Sequence, residues 1–471
     1  MPVAHVAPEL VLVVGAALTL VAAMALPHRR QWVGAPLAVA TAAAVIWLTA
    51  SMASTEPQRL TFFGTWALDG AAIWAKHIIL VSTIIAVAAS PEWLRRDPRH
   101  GEYYTLLLLS ALGAVVLASA ADSMLLVMGV LLSSAPGYAL AAYHRRSPLS
   151  VEAGMKYFLV GALTNILLTL GVVLLFGLAA TTLYADTAGT LAASDGARGL
   201  LTLAVAFVAV GLAFKLGAVP AHAWMPDVAQ GAPAPAAAFL TVVPKIGGLV
   251  ALARFLSLLP EDQAAWRPAA AVLAAATMTL GNLAALWQDD VRRLLGWSAV
   301  SQSGYGLMAL VALDRSPLAL PALLYFLLAY ALANLAAFAV VAELRGRTRL
   351  EDYAGLARRR PLLAAVLVVA FLSLVGIPPL AGFAAKLTLF GATIAAGYGW
   401  LAFAAVVNTV VSLFYYLRVL GPVYFAPQPE PVPLLGRWAG LAAVGAGLGA
   451  IAVGLVAEPL IHAFTNARLL P

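Results

Sequence analysis

Cysteine is absent from the 471 residues, which excludes a disulfide framework, a thiolate zinc site and a cysteine-ligated iron–sulfur cluster. Charge is scarce: 10% of the residues are Asp, Glu, Lys or Arg, against roughly a quarter in soluble proteins. With 63% of the residues hydrophobic, the chain cannot cover the surface of a water-soluble globule. There is no P-loop, no metal-ligand cluster and no nucleophile–base pair to support enzymology by this chain alone. GAGLGA at Gly445–Ala450 has the spacing of a dinucleotide fingerprint, but it lies in an apolar run with no strand before it. Close helix packing through small residues explains it better. The net charge of +7 is scattered over short loops, which suits orientation in a bilayer and not a nucleic-acid footprint.

What is present is a succession of apolar runs. A helical crossing needs about 20 mostly apolar residues. Fourteen candidates lie near 9–26, 33–51, 69–90, 103–119, 122–143, 156–180, 200–226, 234–258, 267–287, 291–313, 317–342, 361–397, 398–424 and 438–463. The expected fold is therefore an all-α polytopic membrane protein. No positive charge precedes the first run, and Arg29 and Arg30 follow it, so it reads as a retained span rather than a cleaved signal. Loops after odd-numbered spans hold sixteen arginines and those on the other side six. That asymmetry puts the odd loops in the cytoplasm and both termini outside.

Lysine is the rare cation: Lys76, Lys156, Lys215, Lys245 and Lys386, against 23 arginines. All five fall within or at the edge of the apolar runs. A guanidinium stays protonated under any plausible condition, whereas a desolvated ammonium can release its proton. Ionisable groups at membrane depth are costly and tend to line wet or paired interiors. Snorkelling to the headgroups is the competing reading for Lys76 and Lys156, which sit near the start of their runs. Glu152 precedes Lys156 by four residues, the favourable order for a helical ion pair. Two roles stay open for it, a simple ion pair near the helix start or an acid exchanging protons with the amine. His222, seven residues past Lys215, is open to a structural and to a proton-carrying role.

Two runs are interrupted. AFKLGAVPAHAWMPD carries Gly217 and Pro220 just after Lys215, and FLSLVGIPPLAGFAAKL carries Gly376, Pro378 and Pro379 ahead of Lys386. Proline removes a backbone bond and frees carbonyls that need a cavity, water or a neighbouring helix. Two interrupted spans five apart, each with an amine beside the break, are the pattern of inverted repeats in transporters. Spans 4–8 and 9–13 are the expected halves. The expected division is 1–100 for helices 1–3, 101–260 for the first repeat, 261–426 for the second, and 427–471 for the last helix.

HAWMPDVAQGAPAPAAAFLTVVPKIGG (His222–Gly248), GNLAALWQDDVRRLLGWSAVSQSGYGLM (Gly281–Met308) and LAGFAAKLTLFGA (Leu380–Ala392) resemble the antiporter-like membrane subunits of respiratory complex I. SVEAGMKYFLVGA (Ser150–Ala162) and VVSLFYYLRVL (Val410–Leu420) point within them to the subunit N type of bacterial NADH–quinone oxidoreductase. The resemblance implies a fourteen-helix proton-translocating subunit with two inverted five-helix repeats. It makes Lys215 the lysine at the helix-7 break, Lys245 the central-axis lysine and Lys386 that of helix 12. His222 becomes the link between the first two, and Glu152 and Lys156 the acid–amine pair of helix 6. It also implies a chain without a redox centre. NADH or another donor, FMN, iron–sulfur clusters and quinone belong to partner subunits. Further antiporter-like and small membrane subunits are its expected neighbours, in the bacterial inner (plasma) membrane.

One position departs from the pattern. The family's helix-5 glutamate is replaced by Leu131, which removes the usual counter-ion of Lys215. Glu152 substituting from the next helix, or a half that pumps poorly or not at all, are the alternatives. So are a stand-alone cation/proton antiporter and a non-pumping structural subunit.

Overall fold

The computed structural model describes residues 3–193, 198–259, 266–427 and 436–470. The expected division at 260/261 lies outside the described residues. The main helices are α1 (Ala7–Ala25), α2 (Gly34–Thr55), α3 (Gly70–Ala88), α4 (His100–Ser119), α5 (Ser123–Ala141), α6 (Pro148–Ala179), α7 (Arg198–Leu216) and α8 (Trp224–Gly231). They continue as α9 (Ala234–Leu256), α10 (Trp266–Leu286), α11 (Val291–Val311), α12 (Ala319–Glu343), α13 (Pro361–Val375), α14 (Ala381–Ala395), α15 (Gly399–Phe425) and α16 (Trp438–Leu455). Among the described residues, twelve helices are long and apolar enough to cross a membrane. The two other expected spans fall short for identifiable reasons. α11 is diluted by Arg292, Arg293, Ser298, Ser301, Gln302 and Ser303, and the twelfth span is divided into the shorter α13 and α14.

Local chemistry sets several helix starts. Asp69, Asp122 and Asp290 each cap a helix, their carboxylates accepting from the backbone N–H of Ala72, of Met124 and Leu125, and of Arg293. Such a cap satisfies donors that the first turn leaves free. Proline stands in the first turn of α6, α9 and α13, where its missing N–H costs no helical bond.

The fold is helical as expected, apart from one two-stranded antiparallel hairpin, β1 (Arg59–Thr61) with β2 (Trp66–Leu68), that joins α2 to α3. Three expected boundaries are corrected. The sixth span begins at Pro148, eight residues before the expected 156. The seventh does not run to 226: it stops at Leu216 and resumes at Trp224. The last span ends at Leu455, and a separate short helix, Ala457–Thr465, follows.

Three helices make the centre. Every residue of α9 is buried, all of α12 but Leu320 and Leu328, and all of α11 but Arg293 and Trp297. The rim is apolar outward: Leu18 and Val21 on α1, Leu163 and Ile166 on α6, Phe403 and Phe414 on α15 are exposed. Apolar side chains on both the inner and the outer faces are what a bilayer solvent requires.

Candidate functional site

The five lysines part company in the structure. Lys156 stays at the rim, its side chain 45% exposed, in contact with Glu152 at 2.6 Å and Asp227 at 2.9 Å. Asp227 also meets Arg293 at 2.5 Å. Glu152 is thus committed to a peripheral ion cluster joining α6, α8 and α11, and does not reach Lys215 as a replacement counter-ion. Lys76 does not snorkel: it is buried on α3 and ion-paired with buried Glu9 of α1. Lys215, Lys245 and Lys386 are 1%, 0% and 4% exposed.

Lys215 is the penultimate residue of α7, beside the break. Gly217 lies in the left-handed region at φ 65°, a conformation glycine reaches without steric cost. The freed carbonyls are taken up by neighbours: Trp224 Nε1 donates to Phe214 O at 3.0 Å and Ser303 Oγ to Leu216 O at 2.5 Å. The Lys215 ammonium itself has no hydrogen-bond partner among the described residues. It lies 5.9 Å from the Phe214 ring centroid, on a wall continued by stacked Tyr157 and Trp224. Leu131, at the position of the missing glutamate, faces out of the bundle and is 46% exposed.

Lys245 projects from the middle of α9. Its Nζ donates to Ala299 O at 2.5 Å and to Tyr330 Oη at 3.3 Å, and sits 4.6 Å from the Tyr330 ring centroid. The expected histidine bridge is not made by direct contact. The His222 ring is 5.7 Å from Trp297, and among the described residues no side chain bridges it to Lys215 or Lys245.

Lys386 lies past the second break, where Gly376 takes φ 95°. Its Nζ donates to Val375 O, the last carbonyl of α13, at 2.9 Å and to Thr409 Oγ1 at 3.3 Å. It rests 4.2 Å above the Tyr305 ring, whose hydroxyl is 2.9 Å from the same Thr409 oxygen. Pro378, Pro379 and Pro220 all fall in the non-helical segments between paired helices.

Beside Lys386 lies a cavity of about 10 Å³ whose walls combine polar Gln302, Tyr330, Ser373 and Lys386 with apolar Phe326, Ala329, Leu374 and Ala385. That is close to the space one water needs, with enough polar partners around it to hold one. Tyr330 both contacts Lys245 and lines this cavity. α11 connects the rest. Ala299 O holds Lys245, Ser303 holds the end of α7, and Gln302 Nε2 donates to Leu374 O near the end of α13 at 3.2 Å.

The sequence-based selection included the three central amines and both breaks. It missed Tyr330, Thr409, Gln302, Ser303 and Asp227. The available signal was the polarity of α11, which is unusual for a helix buried on nearly all sides. Among the described residues, no group of three His, Asp or Glu side chains is placed to hold a metal ion. The groups gathered at the centre are amines, hydroxyls and backbone carbonyls, which can hold and exchange protons.

Residues 120–412 match the family described as NADH:quinone oxidoreductase/Mrp antiporter, TM. The chain is 44% identical over 457 residues to NADH-quinone oxidoreductase subunit N of Mycobacterium sp. (strain JLS), covering 96% of each. In structure it is similar to a chain of respiratory complex I from Thermus thermophilus with bound aureothin, with TM-score 0.84 and 31% identity over 98% of this chain and 100% of that one. It shares its fold with a chain of the Mrp complex from Dietzia sp. DQ12-45-1b, with TM-score 0.86 and 21% identity over 99% and 97% of the two.

Proposed function

The chain belongs to the NADH:quinone oxidoreductase/Mrp antiporter transmembrane family, and from that premise we propose that it carries protons across the membrane as a subunit of a proton-pumping NADH–quinone oxidoreductase. Electron transfer from NADH through FMN and iron–sulfur clusters to quinone takes place in partner subunits, and this chain contributes no redox centre. It has fourteen spans in the bacterial inner membrane, the broken ones being α7 with α8 and α13 with α14. Spans 4–8 and 9–13 are inverted repeats, and the arginine-rich face is cytoplasmic with both termini outside.

The observation that carries this reading is the connected line Lys245, Tyr330, cavity, Lys386 at the centre of the bundle. A charged amine in low dielectric raises the cost of charging its neighbour. Protonation of Lys245 therefore favours proton loss from Lys386. A charge shift driven by quinone reduction elsewhere moves a proton along the line without chemistry in this chain. Lys215 and His222 extend the line toward the first break, and Glu152 and Lys156 serve at its rim.

The test is the assembled complex in sealed vesicles, with NADH-driven proton uptake measured beside NADH–quinone electron transfer. Lys245→Ala is expected to lower uptake per NADH oxidised. Undiminished uptake per NADH in that variant overturns the assignment. Leu131 and the unpartnered Lys215 favour a second reading for the first half alone, a stretch that supports the pump structurally and conducts little.

A further inference from the structure

On the arginine-rich face, a cavity of about 440 Å³ opens where α4 begins and α5 and α12 end. Arg96, Arg99, Arg145, Arg146 and Arg345 line it, with Asp97 as its one carboxylate. That carboxylate is 3.9 Å from Arg99 Nε and is also occupied by the Arg99 backbone N–H at 2.9 Å. Five guanidiniums around one acid leave a strong positive excess.

Two of the five are held in place. Arg99 lies 4.7 Å from the Tyr143 ring centroid and donates to Tyr143 O at 2.5 Å, while its Nε is buried and, among the described residues, without a hydrogen-bond partner. Arg345 lies 4.8 Å from the Trp93 ring centroid and donates to Trp93 O at 3.0 Å. Stacking and a backbone acceptor orient each guanidinium and leave its other N–H groups for a ligand. The field is felt locally. Burial pushes the His144 imidazole below its ordinary value, Asp97 opposes the fall, and Arg345, Arg292 and Arg99 deepen it.

Guanidiniums in a fork geometry match phosphate oxygens better than any other side chain does. The cavity lies in the size range of small-molecule sites, about 300–1,000 Å³. It also sits at the level of the helix ends, with Trp93 and Tyr143 in its walls, as aromatic residues do at a headgroup layer. Basic pockets between spans at that level hold anionic headgroups. We propose that this cavity binds the phosphate of an anionic phospholipid headgroup, with Arg99 and Arg345 as its fixed ligands and Arg96, Arg145 and Arg146 closing over it from the exposed side.

The experiment uses the assembled complex, stripped of loosely held lipid in detergent. It is offered vesicles of phosphatidylcholine alone, vesicles containing roughly one-quarter phosphatidylglycerol, or inorganic phosphate, and retained lipid is measured by native mass spectrometry. The unaltered complex is expected to retain phosphatidylglycerol and not phosphatidylcholine. Arg99→Gln with Arg345→Gln should cut that retention at least about tenfold, a difference of roughly 1.4 kcal/mol. Arg359→Gln, an exposed arginine on the same face outside the cavity, should leave it unchanged. Arg146→Gln alone, at an exposed position, should give a partial loss and guards against a double variant that fails to assemble. Equal retention in all variants overturns the proposal. Displacement of the lipid by millimolar phosphate replaces it with a free-phosphate site. Cross-linking of Arg99 or Arg345 to a carboxylate of a partner subunit, with no lipid retained, replaces it with a protein contact.

Discussion

Lys215 and Lys386 each stand beside a broken helix, yet their surroundings differ in kind. Lys386 closes its own break: its ammonium satisfies the last carbonyl of α13 and shares Thr409 with Tyr305. At the first break those duties fall to Trp224 and Ser303, and Lys215, against an aromatic wall, has no hydrogen-bond partner among the described residues. The second amine is built into its helix break, and the first is only housed by one. Leu131, an apolar residue facing out of the bundle, brings no carboxylate toward Lys215 either. A buried ammonium with neither partner nor counter-ion is costly in its charged form; among the described residues Lys215 has no hydrogen-bonded group to offset that cost, whereas Lys386 has two.

Lys76 supplies the reference, a buried amine with its carboxylate. Removing it as Lys76→Met strands Glu9, and stability should fall by about 3–5 kcal/mol. Lys215→Met strands nothing and should leave thermal unfolding unchanged or shifted upward. A large loss of stability in Lys215→Met breaks the contrast. Next in size is function. Lys386→Met should lower proton uptake per NADH at least about tenfold, or roughly 1.4 kcal/mol in the barrier, whereas Lys215→Met should stay within about twofold. Equal losses would show that both halves conduct alike.

Gln302→Leu and Ser303→Ala separate the halves from the side of α11. Each removes one bond to one break, worth about 0.5–1.5 kcal/mol. Ser303→Ala should loosen α7 with hydrogen exchange rising near Leu216, and Gln302→Leu should do the same near Leu374. Exchange rising at both breaks in each variant would mean that the two are not separable. The smallest effect belongs to Thr409→Val. It deletes the longer of the two Lys386 contacts and should cost less than about 1 kcal/mol, with uptake falling less than in Lys386→Met.

The membrane class, the amines and the breaks were legible because each is a local property. Apolar run length, a rare cation in such a run, and glycine with proline inside it can all be read one segment at a time. Partners were not legible. Tyr330 lies 85 residues from Lys245, and Gln302 lies 72 from Leu374. Hydropathy reports how a helix meets its solvent and is silent on which helix it faces. Glu152 shows the same limit from the other side: its spacing to Lys156 was right, but nothing in one helix reveals that Asp227 of α8 completes the cluster. The polarity of α11 makes it less apolar than the other spans, although those polar residues hold both breaks.

Gln302 and Ser303 are sequence neighbours, so they leave α11 about 100° apart and each meets a different broken helix. A single residue gained or lost upstream within that turn would rotate both away from their acceptors together. Length changes during descent are therefore tolerable in the loops of this chain but not in the turn from Ala299 to Ser303, whose register both broken helices depend on.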